Sequence, residues 1–187
     1  MPAVCVFCSS SLTIDDRYLE LAEQVGAAIA QRGWGLVSGA GSISMMGALG
    51  RAARAGGGHT VGVIPDALVD MEVADHDSDE FIVTRDMRQR KGVMDERSDA
   101  FLALPGGIGT LEELVEAWTA RSLNMHHKPV VVLDPWGDFD HLHALLEHWV
   151  QQGFVRRGAV DHVHWATDID DALDAIARAW STAHPFD

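Results

Sequence analysis

The chain has 187 residues, 47% of them apolar, and a formal charge of −14. A chain of this length is most simply one domain with a substantial core, and no apolar run approaches the roughly 20 residues that a membrane-spanning helix needs. The acidic balance argues against nucleic acid or an anionic membrane as the main partner, and the start, MPAVCVFCSS, lacks the basic and apolar regions of a signal peptide, so the protein is read as cytoplasmic.

In chain order, AVCVFC (3–8) predicts a strand. Cys5 and Cys8 within it have the C-x-x-C spacing of a redox motif. Side chains three apart on a strand point to opposite faces, so the pair is read as two ordinary strand cysteines. Residues 15–32 predict a helix with Leu19, Ala22, Val25 and Ile29 on one face. GLVSG (35–39) is a strand, 43–56 a helix bounded by glycines, and TVGVIP (60–65) a strand ended by proline. After a polar loop come a short strand at 81–84, a helix at about 86–97 and the strand AFLAL (100–104). A helix follows LPGGIGT and runs to about 123. PVVVL (129–133) is a strand, 139–152 a helix, 160–165 an unassigned segment and 168–180 a last helix.

Strands apolar throughout and separated by helices imply a parallel sheet covered on both faces. Right-handed crossovers then give an α/β, doubly wound, Rossmann-like single domain over 1–187. Ligands in such sheets bind outside the carboxyl ends of the strands, which selects the segments after residues 8, 38, 65, 84 and 104.

Three of those segments carry candidate chemistry. SGAGSISMMG (38–47) follows a strand and opens a helix; Gly39 and Gly41 permit close backbone approach and positive φ. It lacks the dinucleotide fingerprint, because Ser44 stands where a third glycine is required. LPGGIGTLEE (104–113) repeats the arrangement. Pro105, Gly106, Gly107 and Gly109 form a turn, Thr110 suits the N-cap, and the free N–H groups there would hold a phosphate. Thr110 and Glu113 also fit a capping box, a purely structural role. Leu111, Leu114, Val115 and Trp118 form the apolar stripe of this helix. Glu113 lies nearly opposite its centre and Glu112 to the side, so a working Glu113 needs a wall from a neighbouring loop or a second subunit. The third segment, MRQRK (87–91), concentrates cations: Arg85, Arg88, Arg90, Lys91 and Arg97 are five of the fourteen Lys and Arg. In an acidic chain this is read as an anion contact rather than a solvated face.

The ten histidines show no metal-ligand spacing, so no metal site is expected. Neither a G-x-S-x-G elbow nor a P-loop is present, which disfavours a serine hydrolase or a P-loop NTPase.

Met87-Arg-Gln-Arg-Lys91 followed by Pro105-Gly-Gly-Ile-Gly-Thr-Leu-Glu-Glu113 resembles the paired motifs M-x-x-R-K and P-G-G-x-G-T-x-x-E of the Lonely Guy (LOG) family. Its members are cytokinin riboside 5′-monophosphate phosphoribohydrolases that also carry a lysine decarboxylase label. The likeness extends from VCVFCSSS through HHKPVVVLDPWGDFD to QQGFV. It implies cleavage of the N-glycosidic bond of N6-substituted AMP, and in many members AMP, to free base and ribose 5-phosphate. It further implies no metal or organic cofactor, and a homodimer with active sites near the interface. Carried over residue by residue, it makes Arg90 and Glu113 catalytic. Substrate contacts fall on Gly39, Gly41, Arg88, Lys91, the turn Pro105, Gly106, Gly107, Gly109 and Thr110, and on Glu72 and Glu112. This chain departs from the family at Ala40 and Ser44, where glycine is usual, which narrows the first loop, and mildly at Ser9, where the family often has glycine. A pyridoxal phosphate decarboxylase would need a Schiff-base lysine; only Lys91 and Lys128 exist, and neither has such a context. Two other readings stay open: a nucleotide sensor or carrier without turnover, and a hydrolase of other nucleoside monophosphates.

Overall fold

The structure, a computed structural model, describes residues 1–69 and 74–183. Seven parallel strands form one sheet: β1 (Ala3–Phe7), β2 (Gly35–Ser38), β3 (Thr60–Pro65), β4 (Glu80–Thr84), β5 (Ala100–Ala103), β6 (Val130–Leu133) and β7 (Val163–Ala166). Their order across the sheet is β4-β3-β2-β1-β5-β6-β7, with every neighbouring pair parallel. The helices are α1 (Asp16–Gln31), α2 (Ser44–Ala55), α3 (Met87–Glu96), α4 (Ile108–Ser122), α5 (Asp140–Gln151), α6 (Arg157–Val160) and α7 (Ile169–Ala183). This is the doubly wound arrangement expected from unbroken apolar strands.

Alternation along the strands divides the core in two. Val4, Val6, Leu36, Leu102 and Leu133 face α1, α2 and α7. Cys5, Phe7, Val63, Phe101 and Val132 face α3, α4 and α5. Cys5 and Cys8 fall into opposite layers and are both free and buried, as the strand reading requires. Burial raises both thiol pKa values, and the Glu113 carboxylate raises them further.

The segment at 160–165 resolves into two elements: α6 first, then β7, whose four residues pair with β6 from Val130↔Val163 onward. The order of strands reverses at β1, which lies between β2 and β5. The chain leaves β1 toward α1 on one face and β5 toward α4 on the other, so a crevice opens at the carboxyl end of the sheet between them.

Candidate functional site

Helix α3 starts where its own residues fix it. The Asp86 carboxylate accepts the Gln89 N–H (2.8 Å), and the Gln89 side-chain oxygen accepts the Arg85 N–H (2.9 Å). Reciprocal bonding of this kind was expected instead at Thr110 and Glu113. There the structure differs: α4 begins at Ile108 with Gly107 as N-cap and without a side-chain cap. Thr110 is therefore inside the first turn, and buried. A Cβ on Gly106 would lie 2.2 Å from Thr110 Oγ1, so the bare glycine is what lets the threonine fold back and the helix start early. The first turn of α4 carries no acidic side chain. Its N–H groups, which have no partner within a helix, meet the crevice.

The buried face of α4 is also not the predicted stripe. It consists of Thr110, Leu114, Ala117 and Trp118, whereas Leu111 and Val115 are exposed. Glu113 flanks this buried face, half-buried, instead of pointing away from it. Within the one chain it lines a cavity of about 340 Å³ together with Gly39, Arg90, Gly107, Gly109, Thr110 and Glu112.

Arg90 lies one turn into α3 and is only 4% exposed. Its Nε donates to the Val63 carbonyl (3.1 Å) and one terminal nitrogen to the Gly39 carbonyl (2.9 Å). Gly39 is indispensable to this packing, since a Cβ there would sit 2.0 Å from the guanidinium. Gly39→Ala is accordingly expected to displace Arg90 and to lower stability by about 1–3 kcal/mol, the usual cost of overpacking a filled site. Thermal unfolding and near-UV circular dichroism check it; an unchanged melting temperature would show that Arg90 tolerates the shift.

Positive φ in the first glycine turn falls on neither Gly39 nor Gly41 but on Ala40 (φ 57°), a conformation that L-residues adopt at a cost of about 1–2 kcal/mol. Its support is visible: the Ala40 carbonyl accepts the Asp75 N–H (2.7 Å), and Arg54 holds the buried Asp75 carboxylate with bonds of 2.9 and 3.2 Å. Ser44 is likewise left-handed (φ 53°), and its hydroxyl donates to the Ser11 carbonyl. That bond ties α2 to the loop after β1, whose Ser9, Ser10 and Ser11 line the same cavity. No site role is read for these serines from the sequence, although the carboxyl-end rule points to the segment after residue 8.

The cations predicted to act together are divided. Arg90 enters the cavity just described, while Arg88 and Lys91 line a neighbouring one of about 330 Å³ between α3 and α4. Lys91 is bonded to the carboxylates of Glu112 and Glu116. Burial lowers its pKa, but these two carboxylates outweigh that and leave it above the ordinary value. Gly41 makes a bridge to Ala74 and does not line either cavity; Pro105 is buried, and Gly106 packs on Thr110. Glu72 lies outside the described residues.

His126 also borders the second cavity, with ring nitrogen Nε2 2.9 Å from the Ala117 carbonyl; burial lowers its pKa. It reaches that place through the end of α4. Asn124 takes a left-handed φ of 57°, and the Asn124 and Met125 N–H groups donate to the Arg121 and Ala120 carbonyls, the reversal of a Schellman motif. Among the described residues, no group of three or more His, Cys, Asp or Glu is placed to hold a metal ion. No described helix is long and apolar enough to cross a membrane.

Fold and site together define a Rossmann-like protein with a glycine-lined crevice at the switch point of its sheet. Residues 46–176 match a family described as "Possible lysine decarboxylase". The chain is 53% identical to the cytokinin riboside 5′-monophosphate phosphoribohydrolase of Mycobacterium marinum over 93% of its own length and 92% of the relative's. It is 41% identical to the Arabidopsis thaliana enzyme of that name, LOG1, over 81% of its length and 71% of that protein's. Among solved structures, the molybdenum cofactor carrier protein of Chlamydomonas reinhardtii superposes with a TM-score of 0.74 at 25% identity, covering 96% of this chain and 98% of the carrier. The chain belongs to the LOG family.

Proposed function

We propose that the protein hydrolyses the N-glycosidic bond of N6-substituted AMP, releasing the free base and ribose 5-phosphate. The observation that carries this reading is the placement of Glu113 and Arg90 in one cavity with the N-terminal turn of α4. The 5′-phosphate is assigned to the Gly107–Thr110 turn, where backbone N–H groups and the helix dipole favour an anion. No Cβ-sized obstacle lies within 4 Å of where side chains would project from Gly107 or Gly109, so the approach is open. Bond cleavage leaves positive charge on the ribosyl ring, which the Glu113 carboxylate stabilises while orienting the attacking water. Arg90, fixed by two carbonyls, organises the ribose or the leaving base beside it.

Decarboxylation through a lysine Schiff base finds no support. Lys91 is held protonated by two carboxylates, and the Lys128 ammonium lies 2.6 Å from both the Asp95 carboxylate and its carbonyl. The environment of Lys91 opposes the deprotonated amine that such chemistry requires. The identity to hydrolases at 53%, against 25% to a cofactor carrier, favours turnover over carriage. A panel of AMP, N6-isopentenyl-AMP, GMP and pyrimidine monophosphates, followed by chromatography for free base, tests the assignment. Nucleotide binding without base release would establish a sensor or carrier instead.

A homodimer is part of this proposal. Ile108 (87% exposed), Leu111 (38%) and Val115 (42%) form an apolar line along the outer face of α4, next to the site. Surface apolar residues so aligned mark an interaction face. Sedimentation velocity is expected to give a dimer, and the pair Leu111→Glu and Val115→Glu to give a monomer by placing like charges across a twofold axis. A dimer that persists in the double variant would place the interface elsewhere.

A further inference from the structure

The cavity between α3 and α4 has no part in the chemistry above, yet it touches it. Both cavities are bounded by Phe7, Met94 and Glu113. The order of features along α4 is a ruler. The open N–H turn is at Ile108; Glu113 stands about 7.5 Å farther along the axis; Ala120 follows about 10.5 Å beyond Glu113, at about 1.5 Å per residue. A nucleoside monophosphate presents the same order: phosphate, anomeric carbon, base.

The lining changes in step. Beyond Glu113 the floor is apolar, with Phe7 and Phe101 stacked at 5.8 Å and 16° between ring planes, and Met94, Ala117, Ala120 and Met125 around them. Two cations, Arg88 and Lys91, border this cavity against three carboxylates, Asp95, Glu113 and Glu116. A dianionic phosphate is disfavoured there; a flat, neutral, largely apolar group is matched. Ala120 on one wall and Gly92 on the other are small, and a Cβ added at Gly92 would meet nothing within 4 Å.

We propose that this second cavity receives the nucleobase and its apolar N6 substituent, and that Ala120 and Gly92 set the size of substituent accepted. The inference rests on the nucleotide reading of the first cavity. It makes the two ends of the substrate separately adjustable, since the phosphate end is held by backbone and the base end by side chains.

The experiment compares Ala120→Leu and Gly92→Leu with the unmodified protein on AMP and N6-isopentenyl-AMP, with ribose 5-phosphate as a competitor that has no base. Either variant is expected to lower kcat/KM for N6-isopentenyl-AMP roughly tenfold or more, a range typical of steric exclusion from an apolar pocket. AMP should change less than about threefold, and inhibition by ribose 5-phosphate less than about twofold, both small beside that exclusion. Equal losses on both nucleotides, or no loss in either variant, would overturn the assignment. Absence of base release by the unmodified protein is a different failure, that of the hydrolase reading. Calorimetric affinities for the two nucleotides then still read the cavity, with the same selective loss expected and the same equal loss overturning it. Gly92→Leu adds its side chain to an open helix face, so it serves where Ala120→Leu fails to fold.

Discussion

Replacing Glu113 with glutamine is expected to lower kcat for base release about a hundredfold to a thousandfold while leaving KM nearly unchanged. A preorganised charge facing a developing opposite charge is worth that much in a dry site, and glutamine keeps the shape while removing the charge. The loss belongs to the transition state because the ground-state nucleotide carries no positive charge on its ribose. Thermal unfolding of the same samples checks that the variant is folded, so that the loss is read as turnover. Glu112→Gln gives the contrast. Glu112 is half-exposed and engaged with Lys91, and its loss should reduce kcat less than about tenfold, since screened ion pairs at such positions are worth about 1 kcal/mol or less. Stopped assays of base release at saturating and subsaturating nucleotide decide the matter. If Glu113→Gln retained full kcat, or if Glu112→Gln were the more damaging, the role assigned to Glu113 would be wrong.

The sheet was legible because both of its faces are covered. Runs such as VVVL in β6 are apolar without alternation, and only a parallel sheet between helices needs them. α6 was not legible: four residues, one of them Gly158, are too few to show a helical period. Within the site, Arg90 and Glu113 stood out through their motifs and glycine context, and the structure brings them to one cavity. What could not be read were features set by contacts across the chain. The start of α4 depends on Thr110 settling over Gly106, and a capping pattern four residues long cannot report that. The apolar stripe was misjudged because Leu111 and Val115 share helical spacing with Leu114 and Trp118 but lie on the exposed face. The run of cations in MRQRK carries no mark of which side of α3 meets which cavity; Arg90 takes one and Lys91 the other because successive residues diverge by about 100° around a helix. Positive φ at Ala40 was assigned to its neighbouring glycines because glycine is the usual occupant. Here the bond from the Asp75 N–H sustains an alanine, and Gly39 is kept for its lack of a side chain.

Arg90 should fail differently from Glu113, in stability as well as in turnover. The guanidinium is almost wholly buried and bridges β3 to the turn after β2, through the Val63 and Gly39 carbonyls. Arg90→Ala removes both bonds and leaves two carbonyls without these donors, at a cost on the order of 3 kcal/mol. The turn that Gly39 belongs to would then lose its anchor, so kcat/KM and thermal stability should fall together. Arg90→Lys separates the two contributions. Lysine retains the charge but has no planar fork, so one ammonium cannot hold two divergent carbonyls while also facing the cavity. Its stability should lie between those of Arg90→Ala and the unmodified protein, whereas its kcat/KM should still be down about a hundredfold, the cost of misplacing a catalytic group by an ångström or so. Thermal unfolding and base-release kinetics on the same samples give both quantities. If Arg90→Lys were fully active, charge alone would suffice and the geometry set by Gly39 and Val63 would be irrelevant to turnover. If Arg90→Ala were unstable yet active per folded molecule, Arg90 would be a structural tie and Glu113 would act without it.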